Sequence, residues 1–195
     1  IVFGDWSSDV CSSDLSFAMK KLGAFRGETP MMRIDFLEGY GIEKRIVDTW
    51  KRHIGETLLP VQEKAIQQYG LFESRNLIVF SPTSSGKTFI GEMAAIRAAR
   101  SKRKVFYLVP QKSLAEEKFV EFTERYGEVG IRVAISNRDH REFDDQIEHG
   151  DFDIAIVVYE KMQGLLVNTP SLLTSAGLIV VDELQMITDE FRGPV

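Results

Sequence analysis

From Arg33 to Tyr69 apolar residues recur three and four apart, with Ile34 and Leu37 followed by Ile42, Ile46 and Trp50, and Pro60 opens a further helix over Val61 to Tyr69. Gly39, Gly41 and Gly55 punctuate these helical pieces. After Gly70 the period changes to short apolar runs: Leu77 to Phe80, Val105 to Val109, Ile131 to Ile135, Ile154 to Tyr159 and Leu178 to Val181. Helical spacing fills the first two gaps, with Ile90, Met93, Ala94 and Arg97 in Lys87 to Arg100, and Leu114, Phe119 and Phe122 in Ser113 to Tyr126. The acid-rich stretch Asp139 to Asp153 reads as a solvated helix and loop. Strand-helix alternation of this kind predicts an α/β fold, a mostly parallel sheet with helices on both faces. Ligands of such sheets bind beyond the carboxyl ends of the strands, so chemistry is expected just after each apolar run.

Composition narrows the picture little: 195 residues, 44% hydrophobic and 27% charged, is an ordinary globular chain able to bury one good core. The first residues stand apart. Asp5 to Leu15, DWSSDVCSSDL, has no hydrophobic period and resembles translated sequencing-adapter DNA fused to a gene fragment, the other reading being a native disordered tail. Residues 1–15 are therefore set apart as non-native or disordered, and residues 16–56 are expected to form a helical lead-in. Setting them apart removes three aspartates and the one cysteine, Cys11, so the net charge moves from −5 to −2. A mildly acidic chain excludes a bulk polyanion-binding surface and leaves only local contacts to nucleic acid. No apolar run approaches the roughly 20 residues that span a bilayer, which predicts no membrane partner and a cytoplasmic or nucleoid-associated protein.

The strongest chemical signal is SPTSSGKT, Ser81 to Thr88, set between a strand and a helix. This is the pattern of a phosphate-binding loop. The loop Pro82, Thr83, Ser84, Ser85 and Gly86 wraps a β-phosphate at the helix N-terminus with the backbone N–H groups of its non-proline residues, Lys87 supplies a point charge, and the Thr88 hydroxyl ligates magnesium. Gly86 is required where backbone approaches phosphate closely. Ser81 stands where the general pattern has glycine, a position that no ligand atom needs to touch.

The second signal is LIVVDE, Leu178 to Glu183, an apolar strand ending in two carboxylates. Acidic pairs usually lie on solvated turns, but here they end a buried strand in a chain that already carries a phosphate loop. Asp182 is then expected to hold magnesium and Glu183 to orient and deprotonate an attacking water.

SPTSSGKT followed by VVDELQMITDEFRGP resembles the DExH-box superfamily II helicases, in the branch of the archaeal repair helicases and HelQ, from about Leu58 to the C-terminus. The resemblance implies a RecA-like P-loop NTPase fold and makes residues 57–195 a helicase ATP-binding domain with ATP and magnesium as its ligands. It implies that Gln62 in LLPVQEKAI contacts adenine, a residue that otherwise reads as an exposed helical glutamine. It implies nucleic-acid contacts in YLVPQKSLAEEK through Pro110, Lys112 and Leu114, and in IVVYEKMQGLL through Glu160 and Lys161. Without it, Glu116, Glu117 and Lys118 read as a solvated helix face and Leu165 and Leu166 as core.

Three departures stand out. Gln185 takes the place of the usual histidine at a coupling position, as in a mitochondrial RNA helicase relative, which leaves DNA and RNA both open although single-stranded DNA is favoured. Asn137 to Asp139 replaces a glycine-containing turn. The sequence stops at RGPV, so a second RecA-like domain with its arginine finger is expected outside these residues. The rival readings are a P-loop nucleotide kinase or other NTPase that never meets nucleic acid, and a nucleotide-gated scaffold without turnover. The segments at Pro110 and Glu160 argue against the first, and intact Lys87 and Glu183 against the second.

Overall fold

A computed structural model describes residues 2–4, 31–73, 75–82, 85–137, 139–140, 143–184 and 186. Residues 5–15, Thr83, Ser84 and Gln185, for which the sequence makes specific predictions, lie outside the described residues. The strands are β1 Val2–Gly4, β2 Ile78–Phe80, β3 Lys104–Val109, β4 Val133–Ser136, β5 Ile154–Val158 and β6 Ala176–Val181. They form one sheet in the order β2-β1-β6-β3-β5-β4, and every pairing is parallel.

The helices are α1 Lys44–Ile54, α2 Pro60–Gln67, α3 Lys87–Arg100, α4 Lys112–Tyr126, α5 Asp144–Glu148, α6 Tyr159–Asn168 and α7 Ser171–Ser175, with a 3-10 segment at Ile34–Tyr40. Among the described residues no helix is long and apolar enough to cross a membrane.

The two-residue strand period divides the core in two. Val105, Tyr107 and Val109 of β3 and Ile154, Ile156 and Val158 of β5 face a large cluster with α1 to α4. Phe106, Ala155 and Val157 face the opposite way, onto Ile147, Met162, Leu165 and Leu172. Helix α3 is buried nearly all round, because alanines at 94, 95, 98 and 99 let it lie close to the sheet while Ile90, Met93 and Ile96 fill the space. Helix α1 is amphipathic instead: Ile46, Val47 and Trp50 are buried while Lys44, Arg45 and Arg52 face solvent.

One difference from the sequence reading concerns the segment set apart at the start. Val2–Gly4 is strand, in register with Ile78–Phe80 on one side and meeting Val181 through Val2 on the other. The backbone groups of β2 and β6 that face each other across this slot need partners, and any extended segment supplies them.

Candidate phosphate loop and adjoining nucleic-acid face

The loop after β2 turns into α3 at Gly86, whose φ of 86° is left-handed. A Cβ there would lie 2.3 Å from Gln62 Nε2 and 2.8 Å from Leu59 Cδ1, so both conformation and space demand glycine. Lys87 is buried, and its ammonium donates to the carbonyls of Ser81 at 2.7 Å and Pro82 at 3.0 Å. Thr88 follows, half-buried, in the first turn of α3. Among the described residues Ser85 Oγ is buried with no hydrogen-bond partner. An unsatisfied hydroxyl, a glycine-opened turn and a lysine at one helix N-terminus fit an anionic phosphate ligand.

Gln62 lies directly behind this loop and is 1% exposed. Its Oε1 accepts the N–H of Leu59 at 2.8 Å and its Nε2 donates to the Gly86 carbonyl at 3.1 Å. The exposed glutamine that the residues alone predict is therefore corrected: Gln62 caps α2 and props the loop, because the amide has both a donor and an acceptor to satisfy where α2 meets α3.

At the end of β6, Asp182 is 4% exposed and held from several directions. Its N–H donates to the Leu108 carbonyl at 2.9 Å, its Oδ2 accepts the Tyr107 hydroxyl at 3.3 Å, and its Oδ1 accepts the Glu183 N–H at 3.1 Å. The Tyr159 hydroxyl donates to its carbonyl oxygen. Burial pushes the Asp182 carboxyl above the usual range, while Lys118, the Tyr107 hydroxyl, the Glu183 N–H and Lys87 pull it back. The loop that carries Lys87 and the carboxylates of Asp182 and Glu183 follow the carboxyl ends of β2 and β6, parallel strands with only β1 between them. Glu183 has φ 55°, a left-handed conformation rare for a side chain of this kind and found where the surroundings over-determine the backbone.

Beyond β3, β4 and β5 lies a cleft of about 420 Å³ lined by Pro110, Lys112, Ser113, Asn137, Asp139 and Glu160. The amino ends of α4 and α6 open here, and neither has a side-chain cap. Pro110, Lys112 and Glu160 thus come together, whereas Lys161 is pulled aside to Asp144 at 2.8 Å, a carboxylate that also accepts the Ser136 hydroxyl at 2.6 Å. Lys112 is paired with Asp139. Asn137 is fully buried, its Oδ1 accepting the N–H groups of Asp139 at 2.9 Å and His140 at 3.0 Å, so an Asx turn shapes this side of the cleft.

Helix α4 corrects another expectation. Glu117 is exposed, but Lys118 is buried, with its ammonium 2.5 Å from Glu121 and 5.7 Å from the centre of the Phe122 ring. Its aliphatic stem covers apolar surface while the ammonium finds a carboxylate. Tyr107 and Tyr159 were legible only as apolar strand positions. A hydroxyl-bearing aromatic near the carboxyl end of a strand was the one available signal, because a buried phenol needs a partner.

Three comparisons with known proteins bear on this site. The family described as DEAD/DEAH box helicase matches residues 59–195. Among curated proteins, "ATP-dependent DNA helicase Hel308" of Caldivirga maquilingensis is 40% identical over 140 residues, covering 71% of this chain and 18% of the relative. The Hel308 of Pyrobaculum calidifontis is 36% identical, covering 79% of this chain and 21% of the relative, and that of Methanocella arvoryzae 35% identical, covering 85% and 21%. The chain thus spans about a fifth of the length of these relatives. Among solved structures, a hypothetical ATP-dependent RNA helicase from Sulfolobus tokodaii superposes with a TM-score of 0.53 at 15% identity, covering 74% of this chain and 51% of that one, which shows a shared RecA-like α/β fold.

Proposed function

Since the chain belongs to the DEAD/DEAH box helicase family, we propose that it is the ATP-binding domain of an ATP-dependent DNA helicase resembling Hel308, active together with a second RecA-like domain outside these residues. The observation that carries this reading is the placement of Lys87, the unpaired Ser85 hydroxyl and the buried Asp182 along the carboxyl edge of one sheet, after parallel strands with only β1 between them.

Backbone N–H groups of the loop and the Lys87 ammonium bind the phosphates, and Lys87 exchanges its carbonyl partners at Ser81 and Pro82 for phosphate oxygens. Thr88 and Asp182 are the residues to hold magnesium, which when bound neutralises phosphate charge. Glu183 orients and deprotonates the attacking water. The cleft around Pro110, Lys112 and Glu160, with two uncapped helix ends, receives the sugar-phosphate backbone of a single strand, and motion of the two domains around ATP drives translocation and duplex opening. DNA rather than RNA is preferred because the relatives at 35–40% identity are DNA helicases by name.

The test is titration of this chain with a fluorescent ATP analogue and magnesium. Wild type is expected to bind, Lys87→Ala to bind at least about tenfold more weakly through loss of a charge-assisted contact, and Glu183→Gln to retain binding. Equal affinity of Lys87→Ala and wild type overturns the site. Steady-state turnover of the chain alone is expected to be negligible, because an arginine finger supplied by another domain is worth roughly a thousandfold or more in rate.

A further inference from the structure

The turn after β6 contains one peptide unit fixed at both ends. Its carbonyl, that of Asp182, accepts the Tyr159 hydroxyl. Its N–H, that of Glu183, donates to the Asp182 carboxylate at 3.1 Å. Because a peptide is planar, the two contacts together set its rotation about the chain. That rotation decides two things: the φ of Glu183, which stands at the unusual value of 55°, and the orientation in which Asp182 presents its carboxylate. Tyr159 is also the first residue of α6, next to Glu160 in the cleft and two positions before Lys161, which is tied to Asp144. The phenol therefore bridges two places with different proposed ligands. Tyr107 reaches the same aspartate differently, through the carboxylate and from inside β3, fully buried and stacked edge-on against Phe122 at 5.6 Å.

We propose that Tyr159 is a positioning residue that ties the strand-facing start of α6 to the Asp182–Glu183 peptide, so that occupancy of the cleft is transmitted to the carboxylates that serve nucleotide and magnesium. This rests on the reading of the cleft as a nucleic-acid face. A strand engaging the amino end of α6 shifts Tyr159, the shared hydrogen bond carries the shift to the peptide, and the peptide turns Glu183. By reciprocity, nucleotide at the loop changes affinity for the strand by the same factor.

The experiment uses the chain as wild type, Tyr159→Phe and Tyr107→Phe, each checked by thermal melting. Affinity for a fluorescent ATP analogue with magnesium is measured with and without saturating oligothymidylate, whose own binding is read by anisotropy. The ratio of the two nucleotide affinities is the coupling. Wild type is expected to show a ratio of about fivefold or more. Tyr159→Phe, which removes one hydroxyl, is expected to bring the ratio close to one whatever its affinity in either arm, while Tyr107→Phe, which leaves the peptide clamp in place, keeps it. A wild-type ratio retained in Tyr159→Phe overturns the proposal, as does equal loss in Tyr107→Phe, or a Tyr159→Phe chain that no longer folds. A wild type that binds both ligands with no coupling overturns it while leaving the proposed function standing. A wild type that binds nucleotide but no strand sinks the nucleic-acid reading of the cleft, and this inference with it.

Discussion

Glu92 illustrates how one side chain here serves two demands. It lies on the helix that begins with Lys87, is 2% exposed, accepts the Tyr126 hydroxyl, and pairs with Arg125 at 3.1 Å. Burial raises its carboxyl above the ordinary value, and Tyr126, Arg125 and Lys118 only partly offset this. The folded chain thus holds the Glu92 proton more tightly than the unfolded chain. Its contribution to stability is fully present at low pH and falls as pH rises from the ordinary carboxylate value through the raised one. Glu92→Gln removes that titration. The melting temperature of wild type minus that of the variant is expected to grow as pH is lowered from about 7 to about 5, within the carboxylate window. A difference that stays flat or shrinks contradicts the buried carboxylate.

At the scale of elements, α1 is held to the nucleotide-binding core by one residue above all. Trp50 is fully buried, donates from Nε1 to the Tyr126 hydroxyl at 2.6 Å, and stands at 90° to Phe89 with ring centres 5.3 Å apart. Phe89 lies in the first turn of α3, so the lead-in helix braces the helix that carries the phosphate loop. Trp50→Ala combines lost burial, a cavity and the loss of the N–H that the Tyr126 oxygen accepts, and is expected to cost about 3–5 kcal/mol in urea unfolding. Lys44→Ala on the exposed face of the same helix is expected to change stability by less than about 0.5 kcal/mol. Similar values for the two would show that α1 is not docked as described.

The whole sheet depends on a strand from an unexpected place. Among the described residues β2, which delivers the phosphate loop, pairs only with β1, and β1 alone separates it from β6. A cavity of about 510 Å³ opens beside the start of β6, lined by Leu71, Phe72, Arg97, Arg103, Leu178 and Val181 among others. Removing residues 1–4 is expected to unpair β2, lower the melting temperature by several degrees and increase binding of an apolar dye. An unchanged melt would mean that another segment fills the slot equally well.

Local order was legible because it is written in periods and punctuation. The α3 span Lys87–Arg100 and the β3 and β5 runs follow from hydrophobic spacing, and the turn at Gly86 into α3 from a motif whose residues are neighbours in the chain. Such features need only near residues to be right. What the tertiary structure decided involves partners far apart in sequence: that Gln62 props Gly86, that Lys118 is buried beside Glu121 and Phe122, that Tyr107 and Tyr159 both reach Asp182, and that Val2–Gly4 enters the sheet. Hydropathy assigns a lysine to solvent and a tyrosine to a core without saying which hydrogen bond each will make. That choice follows from the unsatisfied donors and acceptors left where elements meet, and those exist only once the chain has folded.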